Sequence, residues 1–282
     1  MSTATTINPP GPNAALDPRG AVSPRAYWNA RAAQYASRGE GLAAVCSFGM
    51  PVFYNRYIHF LQQRALAPWL AVPAGARVLE IGCGVGRWTR RLAAAGHDVV
   101  RFALSRTMID DARRRAERDG VSERCRFFVA DCASFSLDRR FDRIFGVTVL
   151  QHILDGPRLA AALINIARHL APGGRVVLLE AAPSVPTARC DSAIFVARTE
   201  QIYRNAFEAV GLTCLGVEGV DPAPFRTWFL PWFRSMPRPV AASAMFMATV
   251  AGAPIDVLAP VRTRAASWHK VFVLARTAEA RQ

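Results

Sequence analysis

The sequence predicts an α/β fold in which helices cover a largely parallel sheet. Apolar, strand-like runs alternate with helical patterns over most of the chain, and a glycine-rich turn joins the first run to a helix. Alternation of this kind gives parallel strands with right-handed crossovers. The chain has 282 residues, of which 51% are hydrophobic, so it can bury one large core. We therefore expect a single elaborated domain.

Each predicted strand is a short run of β-branched and apolar residues, and most are followed by a glycine, a proline or a helix pattern. The runs stand at residues 78–81, 98–104, 124–131, 141–150, 175–183, 212–220 and 268–275. Helix patterns stand between them at 88–95, 107–120, 157–170 and 198–210. The glycines at 82, 84 and 86 permit positive φ and let a ligand approach the backbone beside a helix N-terminus.

The segments outside this alternation define the predicted organisation. Residues 26–75 are helical and aromatic, and residues 220–267 form a long proline-containing insertion, of a length typical of a lid over a ligand. We predict a disordered tail at 1–25, a helical lid at 26–75, a core at 76–219, a lid or substrate insertion at 220–267, and a final strand with tail at 268–282.

Composition narrows the function classes. The formal charge is +14, but Lys270 is the only lysine among 35 basic residues, and the arginines are dispersed, so we expect no nucleic-acid partner. The six cysteines form no C-x-x-C pair, so we expect reduced thiols and no metal site. No apolar run reaches the roughly 18 residues of a membrane span, and the first residues lack a signal pattern. We expect a cytoplasmic protein.

Four motifs in order resemble the class I S-adenosylmethionine (SAM) dependent methyltransferases. They are "VLEIGCGVGRWT", "VADCASF", "FDRIFGVTVLQHI" and "LAPGGRVVLLE". The resemblance implies a Rossmann-like sheet of seven strands with the last one antiparallel, and SAM as the cofactor. The site residues that it implies are Gly82, Gly84 and Gly86 along the methionine and sugar, Asp131 and Cys132 at the adenine, and Val147 beside the sulfonium. Glu80 would order the glycine turn and nearby water, or would only orient backbone N–H groups.

Ala103 departs from this pattern. An acid about 20 residues after the glycine turn grips the ribose hydroxyls in nucleotide-binding units of this kind, and counting on from Gly82 gives Ala103. Losing one charge-assisted hydrogen bond costs about 1.5 to 3 kcal/mol. Water or Ser105 is a candidate substitute. The departure also keeps open a methyltransferase-like protein that binds SAM weakly and serves another role.

Two polar residues follow predicted strands on the ligand side of the sheet. His152 is a candidate base, or a hydrogen-bonded structural histidine. Glu180 ends an apolar strand, where an unpaired acid is costly to bury, so it is either catalytic or held in a salt bridge.

Aromatic side chains of the two predicted lids are candidates for ligand contacts. Tyr27 or Arg31 would hold the methionine carboxylate, and Tyr54 and Tyr57 would contact the substrate; helix packing explains the same spacing. Phe225 and Trp228 lie beside arginines, which suits an apolar substrate with an anionic group or simple core packing.

These features predict methyl transfer to a small, largely apolar molecule of the secondary-metabolite type. A similarity to isoprenoid C-methyltransferases would make the substrate a prenyl diphosphate, and only then is Mg²⁺ implied. A repurposed methyltransferase-like protein is the alternative. An RNA methyltransferase is favoured only by charge.

Overall fold

The computed structural model describes residues 23–47, 50–187, 192–223, 233, 235–259 and 263–277. Seven strands form one sheet in the order β3-β2-β1-β4-β5-β7-β6. The strands are β1 (Val78–Ile81), β2 (Val99–Ala103), β3 (Cys125–Val129), β4 (Phe141–Val147), β5 (Leu170–Ala181), β6 (Leu212–Gly219) and β7 (His269–Arg276). Strand β7 lies antiparallel between β5 and β6, and the first five strands run parallel. The predicted fold is confirmed.

Eight α-helices accompany the sheet in the described residues. They are α1 (Pro24–Tyr35), α2 (Leu42–Val45), α3 (Val52–Leu70), α4 (Arg87–Ala94), α5 (Arg106–Arg118), α6 (Gly156–His169), α7 (Glu200–Glu208) and α8 (Arg238–Leu258). Helices α1 and α2 (residues 23–47) are called the N-terminal cap below.

The central strands send alternate side chains to two apolar layers. Leu79 of β1 packs in the same cluster as Leu163 of α6 on one face. Val78 packs with Leu66 of α3 on the other face. Burial on both faces explains why these strands are nearly continuous apolar runs, and it fixes the sheet that positions the carboxyl ends of β1 to β4.

Helix α8 is the element that the sequence did not predict. Its prolines at 237 and 239 flank the first helical residue, where a missing N–H is tolerated, and Pro254 lies in the last turns. By length and composition α8 is long and apolar enough to cross a membrane, with 28% of its most apolar window buried. It packs on α3, where Met245 lies in one cluster with Tyr54 and Ile58.

Candidate functional site

The loops that follow β1, β2, β3 and β4 meet at one edge of the sheet. These strands are neighbours and parallel, so their carboxyl ends share that edge. The chain order reverses between β1 and β4, and ligands of open α/β sheets bind at such a reversal. Each loop carries residues that the sequence singled out.

The glycine turn after β1 is tightly enclosed. Gly82 and Gly84 have φ of 63° and 53°. A Cβ on Gly82 would lie 2.5 Å from Val149 Cγ2, and one on Gly84 would lie 2.6 Å from Val45 Cγ1. The turn is thus approached by the β4 loop from one side and by the N-terminal cap from the other, and α4 begins at Arg87 directly after it. A turn without Cβ atoms at these positions, beside a helix N-terminus, fits the methionine and sugar part of a cofactor such as SAM.

Glu80 is buried beneath the turn. It accepts a hydrogen bond from the Thr89 hydroxyl of α4 and pairs in register with Arg101 of β2. Burial raises the pKa of Glu80 to about 7, and Thr89 opposes that shift. The carboxyl group therefore fastens α4 to β1, which agrees with the structural alternative for this residue.

At the end of β2, Ala103 lies in an apolar cluster with Cys83 and Ile109. Ser105, 1% exposed, caps α5 by accepting a hydrogen bond from the Met108 N–H at 3.1 Å. Its hydroxyl also donates to Asn29 Oδ1 at 2.6 Å. Ser105 is therefore buried and bonded within the protein, and its role as a substitute ribose anchor stays a prediction.

Asp131 stabilises the loop after β3, to which it belongs. Asp131 Oδ1 accepts from the Ala133 N–H at 2.9 Å, and Oδ2 pairs with Arg158 of α6. Cys132 is buried, and burial raises the pKa of its thiol. Within the described residues its backbone N–H makes no hydrogen bond. Contacts of Asp131 and Cys132 with adenine stay predictions.

Strand β4 ends in a strained residue that the sequence did not reveal. Thr148, directly after Val147, has a φ of 56°, which is rare for a β-branched residue. Its N–H donates to the Leu179 carbonyl at 2.6 Å, and this bond holds the conformation. Strain of this kind clusters at functional sites. Val147 is buried, and its predicted position beside the sulfonium stays a prediction.

The turn Leu150–His152 is clamped by two buried charged residues. Glu180, 0% exposed, accepts the N–H groups of Val149, Leu150 and Gln151 at 3.0, 2.9 and 3.1 Å. Arg198 donates to three carbonyls of the same segment, at residues 150, 153 and 154.

These contacts give Glu180 a positioning role, and its predicted catalytic role stays a prediction. Its carboxylate faces backbone donors in the interior, where burial raises its pKa to about 7 against the pull of those donors. Glu180 positions the turn that carries His152.

His152 is the polar side chain that this turn presents. Its Nδ1 lies 2.8 Å from the Ile194 carbonyl, which can only accept, so Nδ1 carries the proton of the neutral ring. The Gln151 amide accepts from the Ala181 N–H through Oε1 and thus turns its NH₂ group toward His152 Nε2, at 3.4 Å. In this tautomer Nε2 is the acceptor nitrogen, and the Gln151 amide lies at it as a donor. The Trp28 ring lies edge-on to the imidazole, with centroids 4.9 Å apart.

The N-terminal cap is tied together by Arg31. Its guanidinium donates to the Tyr27 hydroxyl at 3.2 Å and to the Cys46 carbonyl at 2.8 Å, and it lies 5.2 Å from the Trp28 ring centroid. These contacts join α1 to the segment after α2. Binding of the methionine carboxylate by Tyr27 or Arg31 stays a prediction.

A second anchor joins the helices preceding β1 to α4, and the sequence did not indicate it. Buried Arg87 donates to His59 Nδ1 of α3 at 3.0 Å and to Cys46 Sγ at 3.2 Å. Burial, followed by the charge of Arg87, lowers the pKa of His59 to about 3. The neutral imidazole thus accepts from Arg87 at the start of α4.

The predicted substrate residues of α3 instead join α3 to α8. Tyr54 is buried in the cluster with Met245, and the Tyr57 hydroxyl donates to Asp256 Oδ2 at 3.1 Å. Contacts of Tyr54 and Tyr57 with a substrate stay predictions. Phe225 and Trp228 lie outside the described residues.

No group of three or more metal-ligating side chains occurs in the described ranges. The sheet edge thus provides a glycine turn, a histidine held by the Ile194 carbonyl and an aromatic cap, which suits transfer of a group from a bound cofactor.

Comparisons with known proteins agree with this arrangement. Residues 78–174 match the family described as a methyltransferase domain. The chain is 34% identical over 113 residues to the methyltransferase GfsG of Streptomyces halstedii, covering 39% of this chain and 40% of that protein. It is 27% identical over 173 residues to the ubiquinone biosynthesis O-methyltransferase of Methylococcus capsulatus (strain Bath), covering 55% and 71%.

A solved structure shares the whole fold. The magnesium protoporphyrin IX methyltransferase of Synechocystis PCC 6803, solved with bound SAM, superposes with a TM-score of 0.58 at 19% identity over 94% of this chain and 99% of that one. The matched residues 78–174 run from β1 into β5 and carry the glycine turn, so the comparisons identify a methyltransferase domain in this part of the chain, on a fold that is shared with a SAM-binding enzyme.

Proposed function

We propose that the protein transfers the methyl group of SAM to a hydroxyl group of a small, largely apolar molecule. The observation that carries the proposal is the clamped turn at residues 150–152, which holds the acceptor nitrogen of His152 at the same sheet edge as the glycine turn.

The residues of this chain would act mainly by positioning. When bound, SAM supplies a methyl group already activated on a sulfonium. The glycine turn would hold the cofactor against β1, and Asp131 and the Cys132 N–H would orient its base. The substrate hydroxyl would displace the Gln151 amide from His152 Nε2, which would then accept the hydroxyl proton, and the Ile194 carbonyl would stabilise the Nδ1–H of the resulting imidazolium. General-base help of this kind contributes about 10²- to 10⁴-fold.

The names of related proteins support a small-molecule substrate. They include a ubiquinone biosynthesis O-methyltransferase, demethylmenaquinone methyltransferases and a 27-O-demethylrifamycin SV methyltransferase. Two of these names specify an oxygen acceptor, and a base beside the site is what an oxygen acceptor needs.

C-methylation of a prenyl diphosphate is the narrower form of the hypothesis and has less support. The aromatic residues that suggested it, Phe225 and Trp228, lie outside the described residues. Glu180, which would have taken the proton, is engaged by three backbone N–H groups. Mg²⁺ is implied only if the substrate is a prenyl diphosphate.

The test is release of S-adenosylhomocysteine from SAM in the presence of a panel of hydroxylated quinones and aromatic polyketides. We expect turnover with at least one member, and a loss of about 10²-fold or more in kcat for His152→Ala. His97→Ala, at the opposite edge of the sheet, serves as the matched control and should keep wild-type turnover.

Two results would contradict the proposal. Unchanged turnover by the His152→Ala variant would show that His152 is not the general base. Binding of S-adenosylhomocysteine without turnover of any panel member would favour the repurposed protein that Ala103 suggests.

A further inference from the structure

The end of β2 lacks the side chain that would hold the cofactor's ribose. Ala103 presents a methyl group to an apolar cluster, and its carbonyl accepts from the Ala130 N–H at 3.1 Å. Ser105, two residues on, has its hydroxyl committed to the Met108 N–H and to Asn29. The Ala103 side chain therefore offers no hydrogen bond to a ribose hydroxyl, and the Ser105 hydroxyl, which is 1% exposed, has no donor left for one.

Asn29 of α1 places a polar side chain beside the end of β2. Its Oδ1 accepts from Ser105 at 2.6 Å, which fixes the orientation of the amide. The Nδ2 group has no acceptor in the part of the chain that the structure describes, and the side chain is half-buried. Two N–H donors are therefore available beside the end of β2.

The neighbours of Asn29 on α1 show that this helix crosses the cofactor edge. Trp28 contacts the His152 ring beyond β4, and Ala32 packs in one cluster with Val85 of the glycine turn and Met108 of α5. Asn29 thus lies on a helix that spans the loops after β1, β2 and β4.

We propose that Asn29 donates to the ribose hydroxyls of the cofactor and replaces the acid that Ala103 does not supply. A ribose hydroxyl both donates and accepts, so an amide N–H can bond where a carboxylate otherwise would, without the charge. The N-terminal cap then becomes part of the cofactor site. This inference rests on the proposed function, because it needs SAM as the ligand.

Calorimetric titration tests the inference with two probes, S-adenosylhomocysteine and its 2′,3′-dideoxyribose analogue. The wild type should bind the analogue more weakly. Asn29→Ala should weaken S-adenosylhomocysteine binding by about 3- to 10-fold and leave the analogue almost unaffected. Gln34→Ala, an exposed change on the same helix, should keep the wild-type discrimination.

A double-mutant cycle with Ala103→Asp makes the test sharper. If both residues serve the ribose, Ala103→Asp should tighten binding, and Asn29→Ala should cost less in that background than in the wild type. Equal costs in both backgrounds would overturn the inference.

Failure of this inference can be told from failure of the proposed function. Equal affinity of the wild type for the two probes would overturn the role of Asn29 without any variant that has to fold. Absence of binding to S-adenosylhomocysteine would overturn both.

Discussion

Replacing Glu180 by alanine removes the acceptor that holds the turn before His152. Three buried N–H groups, of Val149, Leu150 and Gln151, then lose their partner. Each unsatisfied donor costs about 1 to 3 kcal/mol, or about 6 kcal/mol together. A second effect acts in the opposite direction. Well above pH 7 the folded wild type must ionise a buried acid whose pKa is about 7 instead of the ordinary 4.5, which costs about 3 kcal/mol of stability, and the variant does not have this cost. The free energy of unfolding should fall by about 3 kcal/mol at pH 8.

The sign of the pH dependence follows from the raised pKa. A carboxyl group with a raised folded-state pKa contributes stability that is present below pH 4.5 and is lost as the pH rises through about 7. At pH 5.5 the wild type has this stabilisation and the variant does not. The unfolding free energy of the variant should therefore be about 5 kcal/mol lower than that of the wild type at this pH.

Urea unfolding followed by circular dichroism measures both values. Glu208→Ala, an exposed change on α7, should stay within about 0.5 kcal/mol of the wild type. A loss for Glu180→Ala below about 1 kcal/mol at both pH values would refute the clamp and favour the predicted catalytic role of Glu180.

Three further outcomes follow from single contacts. His59, with a pKa lowered to about 3 from 6.5, destabilises the fold as the pH falls below 6.5, so His59→Gln should flatten the unfolding free energy between pH 6.5 and 5 in urea titrations. Gly84→Ala places a Cβ 2.6 Å from Val45 Cγ1 at a φ of 53°, and it should weaken S-adenosylhomocysteine binding at least about tenfold in calorimetry. Tyr57→Phe removes a donor from buried Asp256 and should lower the unfolding free energy by about 1 to 2 kcal/mol, whereas no change would show that other donors suffice.

Much of the fold could be predicted from local pattern. Strands β1 to β5 are short apolar runs separated by glycines and helices, because both faces of a parallel sheet are buried. The resemblance implied that β7 is antiparallel, but its position between β5 and β6 has no local signature and was not predicted. Helix α8 was not predicted because its segment contains several prolines, although those at the first turn cost no hydrogen bond.

The site was predictable where one stretch of chain forms it. The glycine turn and His152 each follow their own strand, so their position at the sheet edge could be derived. The role of Glu180 depends on N–H groups about 30 residues earlier in the chain, with separations of 29 to 31. The contact of Asn29 with Ser105 joins residues 76 apart, and no spacing rule indicates it.

Titration of the full chain with S-adenosylhomocysteine in a calorimeter tests the central claim most directly. The account predicts saturable binding at one site per chain with a dissociation constant below about 1 mM, because the glycine turn, the β3 loop and the cap remain although Ala103 replaces the acid. Absence of a binding signal at millimolar ligand, from protein that is folded by circular dichroism, would contradict it.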